Sequence, residues 1–226
     1  MLSTDEFAEW STKVALFVHN SSRIDDEPFP DLLREKGGNA FPTVSFLDAE
    51  GALLLQVGGA PTVEELEAGY RRLAAWRELR AAVDGGATER AKQLFVTELD
   101  LGLLDFAAAQ SAFASFEFPA AEVAALQQQL VNLEFRDILR ATARSEMITG
   151  GEAFLAMYRA DRIPDSAQDT TFWEFMFAAA EARADPPLFA ELMADVKKRK
   201  AGDRRLKRYL ASLEQRLAKL QSKTDG

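Results

Sequence analysis

Two short runs of alternating apolar and polar residues lie in the first third of the chain. Val44 and Phe46 alternate with Thr43, Ser45 and Leu47, and Leu53, Leu55 and Val57 alternate with Leu54 and Gln56, which predicts a pair of strands. Asp48, Ala49, Glu50 and Gly51 lie between them, and Gly51 is free to take the positive φ that closes a short loop. Both strands are apolar on nearly both faces, so helices are expected on each side of the sheet. Thr62 and Glu65 then form a capping box, after which Val63, Leu66, Tyr70 and Leu73 share one helical face that can lie on the strands. Upstream, Ser3 and Glu6 suggest another capping box, with Phe7 and Trp10 packing a short helix over 4–11. The β-forming run Val14 to Val18 predicts a buried parallel strand, and Asp31 to Lys36 a short helix stopped by Gly37-Gly38. The expected order is α, β, α, β, β, α.

Beyond Trp76 the pattern changes to alanine and leucine at helical spacing, with no strand signal. Asp84-Gly85-Gly86 marks a boundary, so a first unit over 1–76 and an all-helical domain of paired helices over 84–226 are expected. The helices fall near 88–101, 105–117, 120–145, 151–160, 168–184, 187–200 and 203–221. Phe118-Pro119, Gly150-Gly151, Ile163-Pro164 and Asp185-Pro186-Pro187 punctuate them. In the last helix Leu206, Leu210, Leu213, Leu217 and Leu220 recur at three-four spacing with Tyr209 beside them, a stripe expected to pack on the preceding helices.

The segment from Phe41-Pro42-Thr43 through Phe46 to Gly51 resembles the C-terminal half of the thioredoxin fold, with Pro42 at the family's cis-proline position. The likeness covers about residues 3–76. It implies an α/β thioredoxin-like module, shortened at its N-terminus, ahead of the helical domain. In the preferred alignment the helix at Phe7 resembles the tail of the helix that carries the family's cysteines. In the other, Val14 to Val18 is the central strand and Asn20 to Arg23 a degenerate active-site loop. The helices around Gly102 to Ala109 resemble a single tetratricopeptide-type hairpin, with Ala109 and Phe113 at its contact positions, although no 34-residue interval recurs.

The absence of cysteine excludes disulfides, thiolate metal sites and thiol-disulfide catalysis by this chain. No apolar run is long enough to span a membrane, and no signal peptide stands at the N-terminus as written, so a soluble, cytoplasmic protein is expected by default; a longer N-terminus would leave the periplasm or secretion open. The net charge of -9 is unevenly placed: residues 197–226 hold 11 Lys and Arg against Asp203, Glu214 and Asp225, a balance of +8 that leaves -17 on residues 1–196. A basic tail suggests either an anionic partner or a solvated helix face answering the acidic body. The second reading is preferred, since an acidic body repels a polyanion, so no nucleic-acid partner is expected.

Catalytic chemistry has little to draw on. His19 is the sole histidine, and Ser21, Ser22 and Asp25 are its neighbours in sequence rather than an arranged triad, so it is read as structural. Asp25, Asp26 and Glu27 read as a solvated acidic loop rather than a metal site, and no phosphate-binding glycine motif occurs. Phe172, Trp173, Phe175, Met176 and Phe177 read as core.

No catalytic residue, cofactor or metal is therefore expected. The resemblance implies that Ala40, Phe41, Pro42 and Thr43 form a strand edge that holds an extended peptide or a protein partner. The expected function is non-catalytic binding or scaffolding, with a homodimer formed if unpaired strand edges close on one another. Two alternatives stay open: the C-terminal part of a thiol-disulfide oxidoreductase whose Cys-x-x-Cys lies upstream, and an enzyme of the glutathione-transferase type. Against the latter, that family follows its hairpin with an acidic-serine motif, where Val57-Gly58-Gly59-Ala60-Pro61 stands here.

Overall fold

The computed structural model describes residues 3–19, 29, 31–36, 38, 42–142, 146–165, 170–199 and 206–224. Helices dominate, with one small two-stranded antiparallel sheet among the described residues. The chain divides into two compact units, Met1–Leu104 and Asp105–Gly226. The division falls one helix beyond the Asp84-Gly85-Gly86 signal, because the helix that follows those glycines packs on the one before them.

In the first unit α1 (Asp5–Ser11) is capped by Thr4, whose hydroxyl accepts from the Phe7 amide at 3.3 Å. Thr4 thus takes the role expected of Ser3. After α2 (Leu32–Glu35), β1 (Val44–Leu47) and β2 (Leu53–Val57) form the hairpin. Its turn is built as the residues demand. The Asp48 carboxylate accepts from the amides of Glu50 and Ala52 at 3.1 and 2.7 Å, and Gly51 takes φ 82. The register runs Val44↔Val57, Ser45↔Gln56 and Phe46↔Leu55, then shifts to Leu47↔Leu53. Leu54 is the extra residue of that bulge, which breaks the strict alternation of β2 and lets Leu54 be buried beside Leu73 and Leu101.

Helix α3 (Val63–Asp84) begins at the expected capping box: Thr62 accepts from Glu65 N at 3.2 Å, and the Glu65 carboxylate accepts from Thr62 N at 2.6 Å. It lies on the hairpin through Leu66 and Leu73, and a Cβ at Gly69 would stand 3.0 Å from the Phe46 ring and 3.1 Å from the Leu55 side chain, so the absent side chain sets the helix-to-sheet spacing. A 3-10 turn, Thr88–Arg90, leads into α4 (Ala91–Leu101). There Glu98, only 5% exposed, accepts from the Trp76 indole at 3.0 Å and pairs with Arg80, which ties α4 to α3.

The strand expected over Val14 to Val18 does not form. Residues 15–19 carry no strand pairing, and Leu16, Phe17 and Val18 are 57%, 67% and 80% exposed. A β-prone sequence becomes a strand only where a neighbour supplies the ladder, and among the described residues none lies alongside. Val14 alone is held, against the cluster of Phe7, Trp10 and Leu66.

The second unit contains α5 (Phe106–Ser115), α6 (Ala120–Ala141), α7 (Met147–Arg159), α8 (Thr171–Ala182), α9 (Pro186–Arg199) and α10 (Leu206–Thr224). Asp185 caps α9, accepting from Leu188 N at 3.0 Å, with Pro186 at the first helical position where its missing amide costs nothing. Gly150-Gly151, expected as a break, lies inside α7. Both glycines are buried against Phe175 of α8, where a Cβ on Gly151 would collide with the Phe175 carbonyl oxygen. Close helix packing, not helix termination, is what they serve.

Phe172, Trp173, Phe175, Met176 and Phe177 are all buried, in one cluster with Phe154, Phe189, Leu192 and Val196. The leucine stripe of α10 closes that core. Leu213 and Leu220 are buried, and Tyr209, Leu210 and Leu217 pack on it half-buried.

Candidate functional site

The expected peptide-binding edge, Ala40, Phe41, Pro42 and Thr43, is described in its second half. Ala40 and Phe41 lie outside the described residues; Pro42 is exposed at a bend and Thr43 half-buried immediately before β1. Pro42 and Thr43 thus lead the chain into β1, which among the described residues pairs with β2 alone. A strand paired along one side can take a further strand along the other. The exposed segment Leu16 to Val18 belongs to the same unit, following Val14, which packs on the cluster of Phe7, Trp10 and Leu66 that Val44, Phe46 and Val57 of the hairpin also join. Sequence reasoning placed this segment in the core; the structure places it in solvent.

Helix α1 is fixed on α3 by Glu67. One carboxylate oxygen accepts from the Trp10 indole at 3.0 Å and from Lys13 Nζ at 2.8 Å, while the other accepts from Arg71 Nε at 2.8 Å. The Lys13 hydrogen bond, assisted by Arg71, holds the Glu67 carboxyl below the usual glutamate range. Only the Arg71 contact, at i,i+4, was readable from spacing. The Trp10 and Lys13 contacts cross more than fifty residues and left no local signal.

An open groove of about 330 Å³ lies over this junction, lined by the buried Trp10, the half-buried Val63 and the exposed Glu6, Glu9 and Glu64 together with Glu67. Its innermost carboxylate, Glu67, is already engaged by three donors, so it serves as a clamp rather than as a general base. His19 is half-buried, whereas Ser21, Ser22, Asp25, Asp26 and Glu27 lie outside the described residues. Among the described residues no three His, Cys, Asp or Glu converge to hold a metal ion. No described helix is long and apolar enough to cross a membrane.

In the second unit a half-buried arginine forms a junction that no local pattern of residues marks. Arg216 of α10 donates to Glu181 at 2.8 and 3.0 Å and to Glu174 at 2.7 Å, with its guanidinium 5.7 Å from the Phe177 ring centroid and 5.5 Å from that of Phe189. Tyr209, two turns earlier on the same helical face, lies beside Glu174, and burial pushes its hydroxyl pKa upward. Tyr158 of α7 lies 3.2 Å from both Glu191 and Asp195 of α9; burial first and the two carboxylates second raise its pKa. A single phenolic proton serves one acceptor at a time, so this is a packing contact between helices and not an acid poised for catalysis. Comparison with protein-family models, with curated proteins and with solved structures finds no match.

Proposed function

We propose that this chain is a non-catalytic binding protein of the thioredoxin-like kind, whose hairpin edge takes up an extended segment of a protein partner. The observation that carries this reading is the exposure of Leu16, Phe17 and Val18 in a segment that forms no strand pairing among the described residues, within the unit that also holds a two-stranded sheet. Two strands are marginal as an independent sheet, and a third strand added along an edge gains main-chain hydrogen bonds together with a cover for apolar side chains. The edge entered through Pro42 and Thr43 is where the thioredoxin likeness places such a peptide. Specificity would then come from alternate side chains of the guest, since successive residues of an added strand face opposite sides of the sheet.

The test is selection of displayed random peptides on the full chain, followed by hydrogen exchange with and without a selected peptide. Binding is expected to slow amide exchange within 42–47 or 14–19, and Phe17→Asp with Val18→Asp is expected to weaken it without altering the melting curve. Binding that leaves exchange in both segments unchanged would refute the reading.

A further inference from the structure

Among the described residues of the basic segment, most of the positive charge meets no carboxylate. In the described part of residues 197–226, Arg216 is bound to Glu174 and Glu181, and Arg199 lies 3.7 Å from Asp195. Lys197, Lys198, Lys207 and Arg208 are exposed, and none of them enters an ion pair among the described residues. The leucine face of α10 docks, while most of its positive charge does not.

Helix directions gather that charge at one end. Tyr209, early in α10, lies beside Glu174, early in α8; Arg216, two turns on, reaches Glu181, further along α8, and covers Phe189, early in α9. Helix α10 therefore runs with α8 and against α9, which brings the last turn of α9 and the first turn of α10 to the same end of the unit. In sequence, residues 197–208 read KKRKAGDRRLKR, with eight Lys and Arg against Asp203 alone, a balance of +7.

We propose that the paired ends of α9 and α10 form a phosphate-binding surface for double-stranded nucleic acid, read without regard to sequence. The repulsion expected from an acidic body is a long-range effect, and the Debye length of about 8 Å at physiological salt confines it. Phosphates seated on Lys197, Lys198, Lys207 and Arg208 feel mainly those four charges. A bilayer is the poorer partner, because insertion needs an apolar face and the apolar residues of both helices, Leu192, Val196, Leu213 and Leu220, are buried in the unit's own core. A duplex backbone asks only for cations at fixed positions, which two packed helix ends supply.

The experiment titrates the full chain into a labelled DNA duplex of random sequence, about two turns long, followed by fluorescence anisotropy. With about four phosphates neutralised, affinity is expected to fall roughly a hundredfold between about 50 and 200 mM salt. The variant K197Q/K198Q/K207Q/R208Q is expected to lose at least about tenfold in affinity and most of the salt slope, whereas K219Q/K223Q, at the far end of α10, stays within about twofold. Independently of any variant, the duplex is expected to protect Lys197, Lys198 and Lys207 of the unsubstituted protein from acylation. Four results would overturn the proposal: no binding at tens of micromolar protein in low salt, equal losses in the two variants, unprotected lysines, or tighter binding to phosphatidylserine vesicles than to the duplex.

Discussion

The Trp10 indole donates its N–H to the Glu67 carboxylate across 3.0 Å, although the two residues stand 57 positions apart. This bond, together with Lys13 on the same carboxylate oxygen, locks the short helix α1 onto α3. A seven-residue helix has little stability of its own, so its existence rests on that docking.

Trp10→Phe keeps an aromatic ring near Phe7 and Phe46 but removes the donor. A hydrogen bond to a charged acceptor is stronger than one between neutral groups, so a lower unfolding midpoint is expected, although Lys13 and Arg71 still hold the Glu67 carboxylate. Urea unfolding followed by the tyrosine and remaining tryptophan signals measures it. An unchanged midpoint would show that α1 is held by its apolar contacts alone.

The first unit should lose stability in acid. Glu67 is held below its ordinary pKa by Lys13 and Arg71, and Glu65 by the Thr62 backbone and hydroxyl. For carboxyls depressed in the folded state, the stabilisation is present above the unfolded value, about 4.3, and disappears as pH falls through the depressed folded values. Carboxyl NMR titration should place both groups below about 4.3. Lys13→Met should raise Glu67 and leave Glu65 where it was.

Two adjacent glycines should respond differently to the same substitution. Gly151→Ala drives a methyl into the Phe175 carbonyl, a backbone atom that cannot step aside without separating α7 from α8. Overpacking of this kind costs about 1–3 kcal/mol or more, against a helix-propensity gain of about 1 kcal/mol. Gly150→Ala meets the Phe175 ring at 2.8 Å and the Thr142 methyl at 2.9 Å, side-chain atoms with some freedom to shift. Thermal unfolding should rank Gly151→Ala clearly below Gly150→Ala, and the reverse order would mean that the helices separate with little cost.

Arg216→Met removes the charge that joins α10 to Glu174 and Glu181 but keeps a side chain able to cover Phe177 and Phe189. Two carboxylates about a third exposed are left unpaired, and the expected cost is about 1–2 kcal/mol after allowing for solvent screening. Arg216→Lys should recover only part of it, since a point charge cannot serve two carboxylates as a planar fork does. Denaturant midpoints for the pair of variants measure both effects.

Glutathione conjugation to a generic electrophile should stay at the uncatalysed rate. Val57 to Pro61 stands where the transferase likeness requires an acidic-serine motif, and Gly58 and Gly59 there offer no side chain to hold the tripeptide. Turnover above background that is lost in Thr43→Ala would reverse the reading.

What the sequence determined by itself are the features whose causes are local. The Asp48 to Gly51 turn, the Thr62–Glu65 capping box and the α10 leucine stripe from Leu210 to Leu220 each depend on residues within a few positions of one another, and each stands in the structure as read. Tertiary structure decided the rest. Val14 to Val18 has the composition of a strand, but a ladder needs a neighbour and composition does not supply one. Gly150-Gly151 has the look of a helix end, yet the pair lies in α7 because α8 comes too close for a side chain. The bulge at Leu54 moves a leucine out of the strict alternation of β2. The free charge at the ends of α9 and α10 follows the same rule: the count of lysines and arginines is written in the sequence, while which of them meet a carboxylate depends on how the helices pack.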